Sequence, residues 1–197
     1  MSMLLGSWRG LLDQERYDFV PSDVLQIEAN ALIAFYNATG GTAWTSDTNW
    51  LTDPVVNNWQ GVTVAAGHVT QIDLNTNNLA GAAGNTLAPL AAWLTNLNVS
   101  TNALTSIDLS MMKWISVADV ADNGMSEAAV DAVLLGIYNW RTAFNDLTPA
   151  LDIGGTNAAP GGVYQYSATP STGNEYRYKL VNDDDVDGDY YVWGITV

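Results

Sequence analysis

Apolar residues recur in one fixed order along the middle of the chain. Each stretch has apolar positions at its first, fourth and sixth places, an Asn at the ninth and another apolar residue at the eleventh. This alternation predicts a short strand with one buried face, followed by a turn. The three complete stretches are Val69, Ile72, Leu74, Asn77 and Leu79; Leu94, Leu97, Val99, Asn102 and Leu104; and Ile115, Ala118, Val120, Asn123 and Met125; a degenerate fourth has Thr148, Leu151 and Ile153.

Two helices are predicted, one before the first of these stretches and one after the third. Ser22 is a suitable N-cap, and the apolar spacing over residues 23–37 predicts the first helix. Ser126 is the expected cap of the second helix, with Glu127 in its first turn.

Residues 161–197 have a different character. Tyr176, Tyr178 and Leu180 follow a period of two, and so do Tyr190 and Val192. This period predicts two or three strands, which would form a cap at the C-terminal end.

The repeated order is the L-x-x-L-x-L-x-x-N-x-L pattern of a leucine-rich repeat. We therefore predict an α/β fold, a short leucine-rich-repeat solenoid with a helical N-terminal cap and a small β C-terminal cap. One coil cannot bury its own apolar edge, so stacked coils share a core, and the Asn amide would bond backbone groups of neighbouring coils. The predicted segments are an apolar arm at 1–22, a repeat domain at 23–160 (cap 23–63, coils 64–160), and a β-rich cap at 161–197.

Composition narrows the class of partner. The chain has 197 residues, a net charge of -15, 48% apolar and 14% charged residues, and no Cys. This composition indicates a globular chain without disulfides or thiolate metal sites. Only six Lys and Arg occur, which argues against nucleic acid and against an anionic membrane surface. The sequence shows no signal peptide and no membrane span, so we expect synthesis in the cytoplasm and no membrane insertion.

Two stretches resemble known repeat proteins. Residues 32–45, 49–51 and 59–63 resemble the N-terminal cap of leucine-rich-repeat proteins of the plant-receptor and bacterial type. Plant members usually carry a Cys pair beside the Trp-x-Gly-Val stretch, and this chain has none, as in many bacterial and phage-encoded members. Residues 151–160 look like the terminal coil of short repeat proteins of bacteria and of phage tail or other virion proteins.

This resemblance, which covers residues 24–160, implies a non-enzymatic structural or binding module. The first hypothesis is a phage virion accessory protein of capsid, neck or tail, made in the bacterial cytoplasm and docked on other virion subunits, with a homo-oligomer left open. The alternative is a bacterial surface adhesion or ligand-binding repeat protein that uses its concave face. The arm residues expected to dock are Leu4, Leu5, Trp8, Leu11, Leu12 and Phe19.

The concave face is predicted from the residues between the ladder positions. Its central column is expected to contain one polar residue per coil, which makes it either a solvated surface or a site for a cation or a sugar. The column consists of Asp73, Asn98, Asp119 and Asp152.

The other candidate groups are aromatic or basic. Of the tryptophans, Trp93, Trp114 and Trp140 are expected to fill core, whereas Trp8, Trp44 and Trp50 are the candidates for an exposed docking surface. His68, the single histidine, has no nucleophile or second metal ligand nearby in the sequence. It therefore predicts neither catalysis nor metal binding, and we expect no enzyme activity.

An acidic run near the C-terminus resembles half of a calcium loop. Asp183, Asp185, Asp187 and Gly188 have the spacing of its first half, but Gly194 stands where a bidentate Glu is required. No other cofactor is predicted. A calcium site and an acidic hairpin turn remain the two interpretations.

A calcium site in this run would raise the melting temperature in calcium above that in EDTA, because an ion that binds only the folded chain stabilises it by mass action. Calorimetry in the two solutions measures the difference. Equal melting temperatures would contradict the site.

Overall fold

The structure is a computed structural model, which describes residues 20–140, 149–182 and 193–197. This part of the chain contains a six-stranded sheet, a two-stranded sheet and three helices, so the predicted α/β class is confirmed. The helices are α1 (Gln26–Ala38), α2 (Glu127–Trp140) and α3 (Gly173–Asn182). The strands are β1 (Val62–Ala65), β2 (His68–Asp73), β3 (Ala80–Ala82), β4 (Asn96–Asn98), β5 (Ala103–Ser106), β6 (Val117–Asp119), β7 (Ala150–Asp152) and β8 (Gly194–Thr196).

The larger sheet has the order β1-β2-β4-β6-β7-β8. Strand β1 is antiparallel to β2, and every other pair in this sheet is parallel. The register aligns one central apolar residue in each parallel strand, and the first four of these are buried. Strands β3 and β5 form the second sheet, also parallel. The central residues are Ile72, Leu97, Ala118, Leu151 and Ile195.

The ladder of backbone bonds continues past each strand. The N–H groups of Leu74, Val99 and Val120 donate to the carbonyls of Asn98, Asp119 and Asp152 on the next strand, at 2.8–2.9 Å. All three side chains lie in one buried cluster. Their predicted alignment on a common core is therefore confirmed.

Asparagine side chains bridge the turns that follow the strands. The Asn123 amide donates to the carbonyls of Val99, Val120 and Ala121 at 3.0 Å, and its Oδ1 accepts the N–H of Leu104 at 3.0 Å. An amide is suited to this place because it donates and accepts at once, which satisfies backbone groups that water cannot reach. The predicted role of the ladder Asn is confirmed.

Two further asparagines make equivalent bridges, Asn102 of the second stretch and Asn157, which follows the degenerate fourth stretch. Asn102 joins its own turn to Leu74 and Asn77, and Asn157 joins its turn to Val120 and Asn123. Asn77 instead faces the N-terminal segment, where it exchanges two bonds with the backbone of Ser46 at 2.7 and 2.8 Å. An Asn side chain thus joins the first turn to the segment before β1 and each later turn to its predecessor.

The first helix begins later than predicted. Its N-cap is Leu25, which makes no side-chain capping bond, so the assignment of Ser22 as N-cap is wrong. Ser22 donates to the Pro54 carbonyl, and the Asp23 carboxylate accepts the N–H groups of Val56 and Asn57 at 2.8 Å. These residues tie the helix entry to another loop, a role that local sequence does not reveal.

The aromatic residues of α1 and of the segment after it form one buried cluster. Four aromatic rings are in contact, with centroids 4.9–5.7 Å apart. The contacting pairs are Tyr36–Trp44, Tyr36–Trp50, Trp44–Trp50 and Trp50–Trp59. Trp44 and Trp50 are buried, so their prediction as exposed docking residues is wrong. Large rings with one polar atom can be buried when that atom is bonded, and both indole N–H groups donate to carbonyls.

The predicted strand at Tyr176–Leu180 is also wrong, because these residues lie in α3. Bonds at the start of the helix favour it: Ser171 and Thr172 donate their N–H groups to the Glu175 carboxylate at 2.8 and 3.3 Å. The Ser171 bond is the main cause that lowers the pKa of Glu175. Within the described residues, the proposed β-rich cap therefore contains one helix and the short strand β8.

The second helix agrees with its predicted start. The Ser126 hydroxyl accepts the N–H of Ala129 at 3.3 Å, and α2 begins at the next residue after Ser126.

In the part of the chain that the structure describes, no helix has the length and apolarity needed to cross a membrane.

Replacing Asn123 tests the bridging role. In Asn123→Ala, four backbone groups lose their partner in a buried place, so we expect the free energy of unfolding to fall by about 3 kcal/mol. Urea denaturation measures it. The matched control is Asn85→Ala, at an exposed Asn, where we expect a change of at most about 0.5 kcal/mol. Equal effects of the two substitutions would contradict the bridge.

Candidate functional site

The structure brings the four predicted concave-face residues into one row. Register pairs Asp73 with Asn98, Asn98 with Asp119, and Asp119 with Asp152, at the C-terminal end of β2, β4, β6 and β7. Thr196 of β8 extends the row by one position. The polar row therefore contains one residue from each of five neighbouring strands.

Each of the four predicted residues has the same local bond. Its side-chain Oδ1 accepts the backbone N–H two residues further on, at 3.0–3.4 Å. This Asx turn bends the chain out of the strand, and it holds the side chain in one orientation. The acceptor groups pair with the N–H groups of Asn75, Ser100, Ala121 and Gly154.

The row is acidic, and its charge is not paired within the described residues. Among these residues, the contact between a basic and an acidic side chain joins His68 to Glu28 and does not involve the row. Two cations of α3 lie elsewhere, with Arg177 4.9 Å from the Tyr164 ring centre and Lys179 4.4 Å from the Tyr166 ring centre. The row can therefore offer carboxylate oxygens to a ligand that donates hydrogen bonds.

A second group of residues lies at the N-terminal edge of the parallel strands. Glu28 of α1 is 1% exposed, and its carboxylate accepts from His68 Nδ1 at 2.6 Å and from the Val69 N–H at 2.8 Å. Because a carboxylate only accepts, Nδ1 of His68 carries the hydrogen. The His68 ring stacks on Trp93, with centroids 3.8 Å apart and planes 12° apart.

Trp114 has the same place in the next repeat as Trp93 has in its own. His68, Trp93 and Trp114 each come directly before the first buried position of a repeat, and the strands that follow are aligned. We call these three residues the aromatic column. Trp93 is 46% exposed and Trp114 is 41% exposed, so their prediction as core residues is wrong. The apolar position next to each one already fills the core.

Sequence reasoning missed the column although its signal is present. The residue before the first ladder position is aromatic or His in three successive repeats, and a repeat places equivalent positions side by side. The contact with Glu28 had no such signal, since forty residues separate it from His68.

Other predicted site residues lie outside the described residues. These include the arm residues Leu4, Leu5, Trp8, Leu11, Leu12 and Phe19, and the acidic run Asp183, Asp185 and Asp187. Within the described ranges, no cluster of three or more His, Cys, Asp or Glu is placed to hold a metal ion. Arm docking and the calcium site both stay predictions.

Comparisons with known proteins do not identify a family for this chain. No protein-family model matches the sequence, and no curated protein is similar to it at a significant level. Among solved structures, one match is the "Crystal structure of PEPR1-AtPEP1", with 14% identity and a TM-score of 0.45. The match covers 66% of this chain and 22% of that chain. At that score the likeness supports no inference about ligand or role.

Substitution of Glu28 tests the contact between α1 and the sheet. In Glu28→Ala, the N–H groups of His68 and Val69 lose their buried acceptor, so we expect the free energy of unfolding to fall by about 3 kcal/mol. The matched control is Glu127→Ala, since Glu127 also lies in the first turn of a helix but is exposed.

Thermal or urea unfolding of both variants measures the difference. An equal small loss in the two proteins would show that Glu28 acts only through its place in the first turn of a helix.

Proposed function

We propose that the chain is a short leucine-rich-repeat solenoid that acts as a non-enzymatic recognition module. Its ligand would bind on the exposed face of the parallel sheet, over the polar row. The observation that carries this proposal is the register, which aligns Asp73, Asn98, Asp119 and Asp152 on one side of the sheet.

Three features support the solenoid. The repeats contribute parallel strands in register, their apolar residues enter one core, and each ladder Asn bridges two turns. These are the contacts that a stack of coils needs, because each coil interacts mainly with its neighbours.

The geometry of the row supports recognition. Each side chain is oriented by a bond to its own backbone, so little conformational entropy is lost when a ligand binds. The second carboxylate oxygen of Asp119 and of Asp152 has no hydrogen bond to a described group. A row of oriented acceptors on a rigid sheet suits a ligand with several hydrogen-bond donors.

The sheet face is better supported as the binding surface than the N-terminal arm is. The face is defined by contacts between described residues, whereas the arm lies outside them. Assembly into a phage virion and location on a bacterial surface both stay predictions from the sequence.

A triple substitution tests the sheet face. Asp73→Asn, Asp119→Asn and Asp152→Asn together keep the oxygen that accepts the backbone N–H but remove three charges. We expect affinity for a ligand found on glycan and peptide arrays to fall by about tenfold or more, because charge-assisted bonds are lost. Titration calorimetry measures the affinity.

The matched control is Asp108→Asn. Asp108 makes the same type of turn, accepting the Ser110 N–H at 2.8 Å, but lies outside the row. We expect it to bind as the unaltered protein does. The proposal fails if the triple variant keeps full affinity, or if neither array yields a ligand at a concentration of about 1 mM.

A further inference from the structure

The aromatic column has no role in the core. Its two indoles are 46% and 41% exposed, while the neighbouring residues Leu94 and Ile115 are 0% exposed. Exposed Trp is uncommon at a solvated surface and is enriched where proteins bind partners. The column lies at the N-terminal edge of β2, β4 and β6, whose C-terminal residues belong to the polar row.

The first indole of the column is held in place from inside the protein. The buried Glu28 carboxylate fixes His68, and the His68 ring covers one face of Trp93. A buried carboxylate is costly unless its hydrogen bonds are made, and here it makes bonds to a ring and to the first strand. Trp93 is thus an exposed ring on a rigid support, which reduces the entropy lost on binding.

Uncharged side chains, two amides and one valine, separate the column from the polar row. Three residues after His68, Trp93 and Trp114, the register aligns Gln71, Asn96 and Val117. The carboxylates of Asp73 and Asp119 come two residues later. A ligand on the indoles would therefore meet amides first and carboxylates second.

We propose that the aromatic column and the adjoining amides bind a neutral glycan, an assignment that rests on the proposed function of the sheet face. A sugar ring has an apolar face of C–H groups, which packs on an indole, and hydroxyls, which donate and accept at its edge. Amides and carboxylates provide both kinds of partner.

Charge distinguishes this ligand from the others. An anionic ligand would be repelled by a chain with a net charge of -15. A basic peptide would gain from carboxylates beside the rings, but the nearest row holds uncharged side chains. A neutral ligand matches the neutral row, and its outer hydroxyls reach the acidic one.

Titration with chitohexaose, cellohexaose and maltohexaose tests the proposal. We expect one of them to bind with a Kd below about 1 mM and to change the tryptophan fluorescence. Trp93→Ala and Trp114→Ala should each weaken binding by about tenfold or more. Trp93→Phe, which keeps a flat ring, should lose less than Trp93→Ala.

Tyr166→Ala is the control, because Tyr166 is an exposed aromatic residue, 53% accessible, beside α3; it should bind as the unaltered protein does. Far-ultraviolet circular dichroism shows that each variant is folded. Sugar binding that both Trp variants retain would overturn the site.

The same titration with hexalysine separates the two proposals. If no sugar binds but hexalysine does, and the triple Asp→Asn variant loses it, the glycan proposal is overturned and the sheet face still recognises a ligand. If neither sugars nor peptides bind, both proposals fail.

Discussion

The side-chain amide of the ladder Asn is the interaction on which the structure depends. Each turn exposes carbonyls that the next strand cannot satisfy, and Asn123 bonds three of them while accepting an N–H from the preceding turn. Each buried backbone group without a partner would cost about 1–3 kcal/mol. The parallel stack is therefore possible because one amide satisfies two turns at once.

The parallel register places equivalent residues of successive repeats side by side, so that they form rows on the surface. Once Ile72, Leu97 and Ala118 are aligned in the core, the residues beside them are aligned as well. One of these outward rows is polar and oriented by its own turns, and another edge is aromatic. Both surfaces follow from the register that buries the core. The packing of the core therefore determines the spacing of the residues that would contact a ligand.

Much of the fold was open to prediction from local patterns, and the errors have specific causes. The apolar order and the Asn positions predicted the strands and turns correctly, because burial and backbone satisfaction act within each repeat. The strand predicted at Tyr176–Leu180 failed since Tyr176 and Leu180 are also spaced for one face of a helix. The bonds of Glu175 to the N–H groups before it favour that helix.

The sequence by itself determined which ladder residues enter the core and where the turn after each of them falls, since both depend on neighbours within a few positions. It also determined that Asp73, Asn98, Asp119 and Asp152 share a row. Only the tertiary structure decided which tryptophans are exposed and that Glu28 fixes His68. Those outcomes depend on which distant segments fill the remaining space, and a pattern of apolar positions contains no information about partners forty residues away.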